Sequence, residues 1–181
     1  MFVVMCGYPG SGKSTFVDIL KPEFHKLGHR MYVVRPSDWY PENIEEMDPK
    51  ERTDWQIGSW EHALDKVGDL LVTKGVENAV LLDTCGASPK SISSNIAVAE
   101  MRRHQTAAIW MAVPRGICES RVDPNIVAKY IGRIKSAVLE YNEKFDRFIV
   151  VKHGTIDQWK EMAVEAAGKL CQTDLVLRAH K

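Results

Sequence analysis

The 181-residue length suits one compact domain, expected over residues 1–181 and large enough to bury a core without disulfide or metal staples. Hydrophobic residues at 45% and charged residues at 27% exclude wholesale disorder, and no apolar run approaches the roughly 18 residues of a membrane span. Lysine plus arginine and aspartate plus glutamate each number 24, so the zero formal charge excludes a chain-wide basic footprint for nucleic acid while leaving room for a local basic groove.

Strand and helix patterns alternate along the chain. Phe2 to Cys6 is an apolar run ending at a glycine turn, read as a strand rather than a signal peptide because no basic region precedes it. A helix is expected over Lys13 to Leu20, stopped near Pro22, and a second strand over Met31 to Arg35, closed by Pro36. Pro36 to Lys50, with three prolines, reads as loop. Glu51 to Thr73 reads as a long helix, with Trp55 and Trp60 expected in the core. Ala79 to Leu82 is a third strand ending at Asp83. Ser88 and Pro89 look like an N-cap and first helical position, opening a helix to His104. A fourth strand is expected over Thr106 to Val113, a short helix over Ile117 to Arg121, and a helix from the Asp123-Pro124 cap to Asn142. A fifth strand over Phe148 to Val151 and a helix over Ile156 to Leu170 follow, and residues 171–181 are ambiguous. Continuously apolar strands separated by helices predict an α/β fold: a mostly parallel five-stranded sheet with helices on both faces.

The four cysteines, Cys6, Cys85, Cys118 and Cys171, form no C-x-x-C pair, which fits core packing in a reducing cytosol. In such a sheet, ligands bind beyond the carboxyl ends of the strands. Three segments fall there: 7–14, 36–40 and 83–86.

Gly7-Tyr8-Pro9-Gly10-Ser11-Gly12-Lys13-Ser14 matches G-x-x-x-x-G-K-[ST], follows a strand and opens a helix. Glycines let backbone N–H groups converge on phosphate oxygens, and the helix end favours the same anion. Lys13 is expected to reach the outer phosphates and Ser14 to ligate Mg²⁺, with Thr15 completing the segment. These residues predict ATP and Mg²⁺ as cofactors. No N-K-x-D sequence is present to read guanine, and the length argues against a mechanical ATPase. A small phosphotransferase is the favoured class.

Such an enzyme needs a group to take the acceptor's proton. Asp38, just past the second strand, is the candidate base; its alternative is a turn or N-cap aspartate. Trp39 and Tyr40 either stack on an acceptor base or anchor the segment. Asp83 and Thr84 end the third strand, where a carboxylate serves Mg²⁺ or the acceptor. Arg115, Arg121, Lys129 and Arg133 follow the fourth strand, and an arginine among them is a candidate for stabilising the transferring phosphoryl group. Lys129 and Arg133 share a helix face that either binds phosphate or is solvated.

The segments at 7–15, 37–40 and 81–84 resemble the kinase domain of bacteriophage-type polynucleotide kinases over roughly residues 1–140. The resemblance implies ATP-dependent phosphorylation of a hydroxyl on nucleic acid. It gives Asp38 the role of general base, Asp83 that of a second acid near the acceptor, and Arg121 that of the first lid arginine. The chain departs from that pattern in two places. Arg121 runs through Val122-Asp123-Pro124 directly into a helix, and Pro41 stands where the family often has an arginine. In size and simplicity the chain is more similar to the stand-alone phage kinases of 5-hydroxymethyluracil in DNA. That resemblance implies a DNA partner carrying a modified base, and host cytoplasm as location. A 5′-hydroxyl polynucleotide kinase, a small-molecule kinase for a nucleoside, sugar or antibiotic, and a nucleotide-binding module without transfer chemistry are the alternatives.

Overall fold

A computed structural model describes residues 1–172. Its strands are β1 (Phe2–Cys6), β2 (Met31–Val34), β3 (Ala79–Asp83), β4 (Thr106–Ala112) and β5 (Arg147–Lys152). They form one sheet in the order β2-β3-β1-β4-β5, with every pairing parallel. The helices are α1 (Lys13–Lys26), α2 (Pro49–Thr73), α3 (Ser93–Met101), α4 (Arg115–Glu119), α5 (Pro124–Lys144) and α6 (Ile156–Cys171). Helices α1 and α6 pack on one face of the sheet, burying Phe16, Leu20, Ala163 and Leu170 against Val3 and Met5. Helices α2, α3 and α5 cover the other face, where Val67, Ala99 and Tyr141 meet Val4 and Leu82. All of β1 is buried, so its continuous apolar run follows from being covered on both sides. The connection leaving β1 crosses toward β2 and the one leaving β4 goes to β5 on the other side. A crevice therefore opens beyond the carboxyl ends of β1 and β4.

Three local expectations are corrected. Helix α1 runs through Pro22 to Lys26 instead of stopping. Proline lacks the N–H that would serve the Asp18 carbonyl, but Asp18 is exposed to water, and the continued turn buries Phe24. Ser88 and Pro89 do not open the next helix. The Ser88 hydroxyl and carbonyl both accept the Ser91 N–H, closing a separate turn, and α3 starts at Ser93. Trp55 is 45% exposed, while Trp60, on the inner side of α2, packs on the core. Of the 36–50 loop, Pro36–Trp39 and Ile44–Glu46 form short 3₁₀ turns. Arg178, His180 and Lys181, left ambiguous by the sequence, lie outside the described residues.

Cys6 and Cys118 are buried in the two core clusters, as expected for packing thiols, and all four cysteines are free. Burial pushes the Cys6 thiol up to about 12. No helix among the described residues is long and apolar enough to cross a membrane.

His104, assigned no chemistry in the sequence, is 3% exposed. Its Nε2 donates to the Leu71 carbonyl at 2.9 Å, and its Nδ1 lies 2.8 Å from the Met1 amine. Burial, and secondarily that amine, lower its pKa below the ordinary imidazole value of 6.5. The unfolded chain therefore binds a proton below pH 6.5 that the folded chain resists. The linked stability is fully present above pH 6.5 and is lost as pH falls toward the depressed folded value. Urea midpoints at pH 7.5 and pH 5.5 are expected to show the drop, which the Met1 amine, lowered by burial to about 5, shares, and His104→Gln to reduce it.

Candidate active site

The phosphate loop is held by packing from below and by its own amides. Gly10 and Gly12 have φ of 77° and 84°, a left-handed backbone that side chains disfavour. A β-carbon on Gly12 would lie 2.5 Å from Trp159 Cη2, so the α6 indole forms the floor of the loop. That indole is fixed in turn: it donates to the Lys152 carbonyl at 3.0 Å and packs edge-on to Phe16. Gly12→Ala is expected to destabilise the fold by about 2–4 kcal/mol in urea unfolding and to abolish nucleotide binding, because strain and overpacking add.

The Lys13 ammonium folds back onto the loop, donating to the Gly7 carbonyl at 3.1 Å and the Tyr8 carbonyl at 3.0 Å. The buried Ser11 hydroxyl has no hydrogen-bond partner. An orphaned hydroxyl, a lysine held only by carbonyls and a helix start without a side-chain cap all fit an anion such as a triphosphate. Arg121 also reaches the loop, donating to the Gly10 carbonyl at 3.1 Å.

Ser14 and Asp83 meet. The Ser14 hydroxyl donates to Asp83 Oδ2 at 3.0 Å, and the Asp83 carboxylate is 4% exposed. Strand pairing explains the approach, since β3 lies beside β1 with Asp83 opposite Met5. A serine hydroxyl and one carboxylate are hard oxygen donors suited to Mg²⁺ completed by phosphates and water. No cluster of three or more His, Cys, Asp or Glu among the described residues could hold a metal alone.

Sequence reading passed over Arg35. Its Nε donates to the same Asp83 oxygen at 3.0 Å, and its Nη2 reaches Asp18 at 3.5 Å. The one sequence signal was a charge placed directly after an apolar strand. Trp159 was likewise missed; only an aromatic in an amphipathic helix marked it.

Asp38 lies on the 3₁₀ turn just beyond β2, and its N–H donates to the Arg35 carbonyl at 3.0 Å. Its carboxylate is exposed and takes no hydrogen bond or ion pair among the described residues. Trp39 is half-buried against the core, and its carbonyl accepts from Ser59 at 3.4 Å, which ties the turn to α2. Tyr40 comes near Tyr130 and Cys85. Burial raises the Tyr40 pKa first, and those two neighbours add to it. The Arg133 guanidinium sits 6.0 Å from the Tyr130 ring centre. The structure thus gathers Tyr40, Cys85, Tyr130 and Arg133 across the ends of β2 and β3 and one face of α5. Thr84 is half-buried beside them, with its N–H on the Met5 carbonyl. The Tyr141 hydroxyl donates to the Ala87 carbonyl and fixes the far end of that segment. Lys129 and Arg133 are both exposed.

A parallel 2-3-1-4-5 sheet, a glycine-rich phosphate loop after β1 and a serine–aspartate pair at its mouth define the P-loop kinase class of fold. The chain belongs to the AAA domain family, which matches residues 2–128 and so spans the loop, β1 to β4 and Arg121. Solved structures share the fold at low identity. The APS kinase of Mycobacterium tuberculosis, in complex with AMPPNP and APS, is 16% identical with a TM-score of 0.59, covering 94% of this chain and 97% of its own. A gluconokinase from Sinorhizobium meliloti is 13% identical with a TM-score of 0.55, over 93% and 92%. The shikimate kinase of Acinetobacter baumannii is 17% identical with a TM-score of 0.53, over 94% and 90%. No curated protein matches the chain closely.

Proposed function

We propose that the chain is an ATP-dependent kinase that transfers the γ-phosphate of ATP to an alcohol group of a small-molecule acceptor. The observation that carries this reading is the Ser14–Asp83 contact at 3.0 Å beside the folded-back Lys13. Residues 7–15 hold the triphosphate through backbone amides, and Lys13 turns from its carbonyl partners to the outer phosphates. Ser14 and Asp83 hold Mg²⁺, which supplies charge neutralisation when bound. Asp38 accepts the proton of the acceptor hydroxyl as the new O–P bond forms and the bond to the ADP oxygen breaks. Arg121, which reaches the loop, offsets the charge that develops on the transferring group. Tyr40, Thr84 and Arg133 line the acceptor side, and Trp39 braces the turn that carries the base.

The small-molecule acceptor is favoured by the three structural neighbours, whose names are those of kinases for gluconate, shikimate and APS. A second reading has DNA as acceptor, with the hydroxymethyl group of 5-hydroxymethyluracil as its target. One observation favours it. An open groove runs from Asp38 and Trp39 along the outer edge of β2, and Lys21, Lys66 and Lys74 line it. None of these three forms an ion pair among the described residues, so the groove suits a polyanion.

Labelled phosphate transfer from ATP to a panel of sugars, nucleosides and hydroxy acids tests the main reading. Two duplexes extend the panel: one with internal 5-hydroxymethyluracil and blocked 5′ ends, and one with thymine and free 5′-hydroxyls. Label on a small alcohol supports the main reading. Label only on the first duplex replaces it with the DNA-base kinase, and label only on the second with a 5′-end kinase.

A further inference from the structure

Arg35 makes contacts in two directions. Its guanidinium Nε donates to Asp83 Oδ2 at 3.0 Å, the same oxygen that accepts from the Ser14 hydroxyl at 3.0 Å. A carboxylate that is 4% exposed therefore has its charge held by an arginine. The Arg35 carbonyl, one peptide further on, accepts the Asp38 N–H at 3.0 Å and starts the turn that carries Asp38. The second guanidinium contact, to Asp18 at 3.5 Å, is with a 75% exposed carboxylate and leaves Arg35 an alternative partner on α1. One residue thus touches the Ser14–Asp83 pair through its side chain and the Asp38 turn through its backbone.

We propose that Arg35 is a positioning residue that pairs with Asp83 and competes with the metal for it, so that loading of the Ser14–Asp83 pair is felt at the turn carrying Asp38. The inference rests on the reading of Ser14 and Asp83 as the metal-side residues. Two cations cannot share one buried carboxylate oxygen without mutual repulsion, so arginine and metal compete. What the metal gains is then partly offset by what the arginine loses, and the coupling is reciprocal. Freed from Asp83, the guanidinium keeps Asp18 as its partner, and its path to the Asp38 turn is the Arg35 backbone, whose carbonyl accepts the Asp38 N–H.

The test needs no turnover. Arg35→Met keeps the length of the apolar stem and removes the charge. Binding of Mn²⁺ in the presence of AMPPNP, followed by the electron paramagnetic resonance of free Mn²⁺, is expected to tighten about tenfold in R35M, with R35K in between. The fluorescence of Trp39, isolated as the difference from W39F in each background, is expected to change on Mn²⁺–AMPPNP binding in the wild type and much less in R35M. Unchanged or weaker Mn²⁺ binding in R35M overturns the competition, and an undiminished Trp39 response overturns the link to the turn. If R35M does not fold, R35K carries the same test, with an intermediate tightening expected and an unchanged affinity contrary. Tighter Mn²⁺ binding in R35M with no alcohol phosphorylated leaves the inference standing and removes the proposed activity. Absence of Mn²⁺ binding by wild-type protein with AMPPNP overturns the inference itself.

Discussion

Asp38→Asn is expected to lower phosphoryl transfer by about 10²–10⁴-fold while leaving ATP affinity unchanged. The amide keeps the shape of the carboxylate and loses its ability to take a proton. The structure makes the variant clean. The Asp38 N–H bond to the Arg35 carbonyl is a backbone contact that asparagine retains, and the exposed side chain has no partner among the described residues to forfeit. Stability should therefore stay within about 0.5 kcal/mol of wild type, as for an ordinary surface substitution. Initial rates of product formation, ATP titration calorimetry and urea unfolding on the same preparation separate the three quantities. Transfer at wild-type rate would leave Asp38 as a turn residue only.

Lys13→Met carries the second large effect. The ammonium sits on the Gly7 and Tyr8 carbonyls, so it is already at the mouth of the loop, and methionine preserves its stem but none of its charge. A preorganised cation aimed at developing charge contributes about 10²–10³-fold to the rate, and that factor is expected to be lost. ATP binding should weaken as well, because in the proposed reading the lysine touches ground-state phosphates, in contrast to Asp38→Asn. Steady-state kcat and KM for ATP, measured side by side for the two variants, check this split: D38N lowers kcat alone, and K13M lowers kcat and raises KM.

The parts of the molecule that were legible in the sequence are those set by neighbouring residues. The inner strands β1, β3 and β4 could be placed because a strand covered on both faces is apolar nearly throughout, and the partly buried edge strands β2 and β5 by their short apolar runs. The phosphate loop was legible because its glycines and lysine act within a single turn. Helix ends were less so. Pro22 reads as a stop, yet burial of Phe24 and the exposure of Asp18 make the extra turn tolerable. Ser88-Pro89 has the chemistry of a cap, but the Ser88 hydroxyl closes a local turn. Trp55 falls on the outer face of α2, where hydrophobic periodicity alone misplaces it.

The site shows the same division. Asp83 was legible as an acid after an apolar strand, but its pairing with Ser14 depends on β3 lying next to β1. Arg35 reaches Asp83 across 48 positions of sequence, and Trp159 supports Gly12 from the last helix described. Neither contact is written in any local pattern. The cluster of Tyr40, Cys85, Tyr130 and Arg133 likewise draws on three elements, and only Tyr40 and Arg133 were singled out in advance.

The destination of the γ-phosphate separates a kinase from a hydrolase. ATP labelled in that phosphate is incubated with the protein, Mg²⁺ and the acceptor panel, and the label is traced among ATP, organic products and inorganic phosphate. Label is expected on an acceptor, at a rate that depends on Ser14, Asp83 and Asp38. Label released only as inorganic phosphate, at a rate indifferent to every acceptor and to Asp38→Asn, would contradict the kinase reading and make the protein a nucleotide hydrolase.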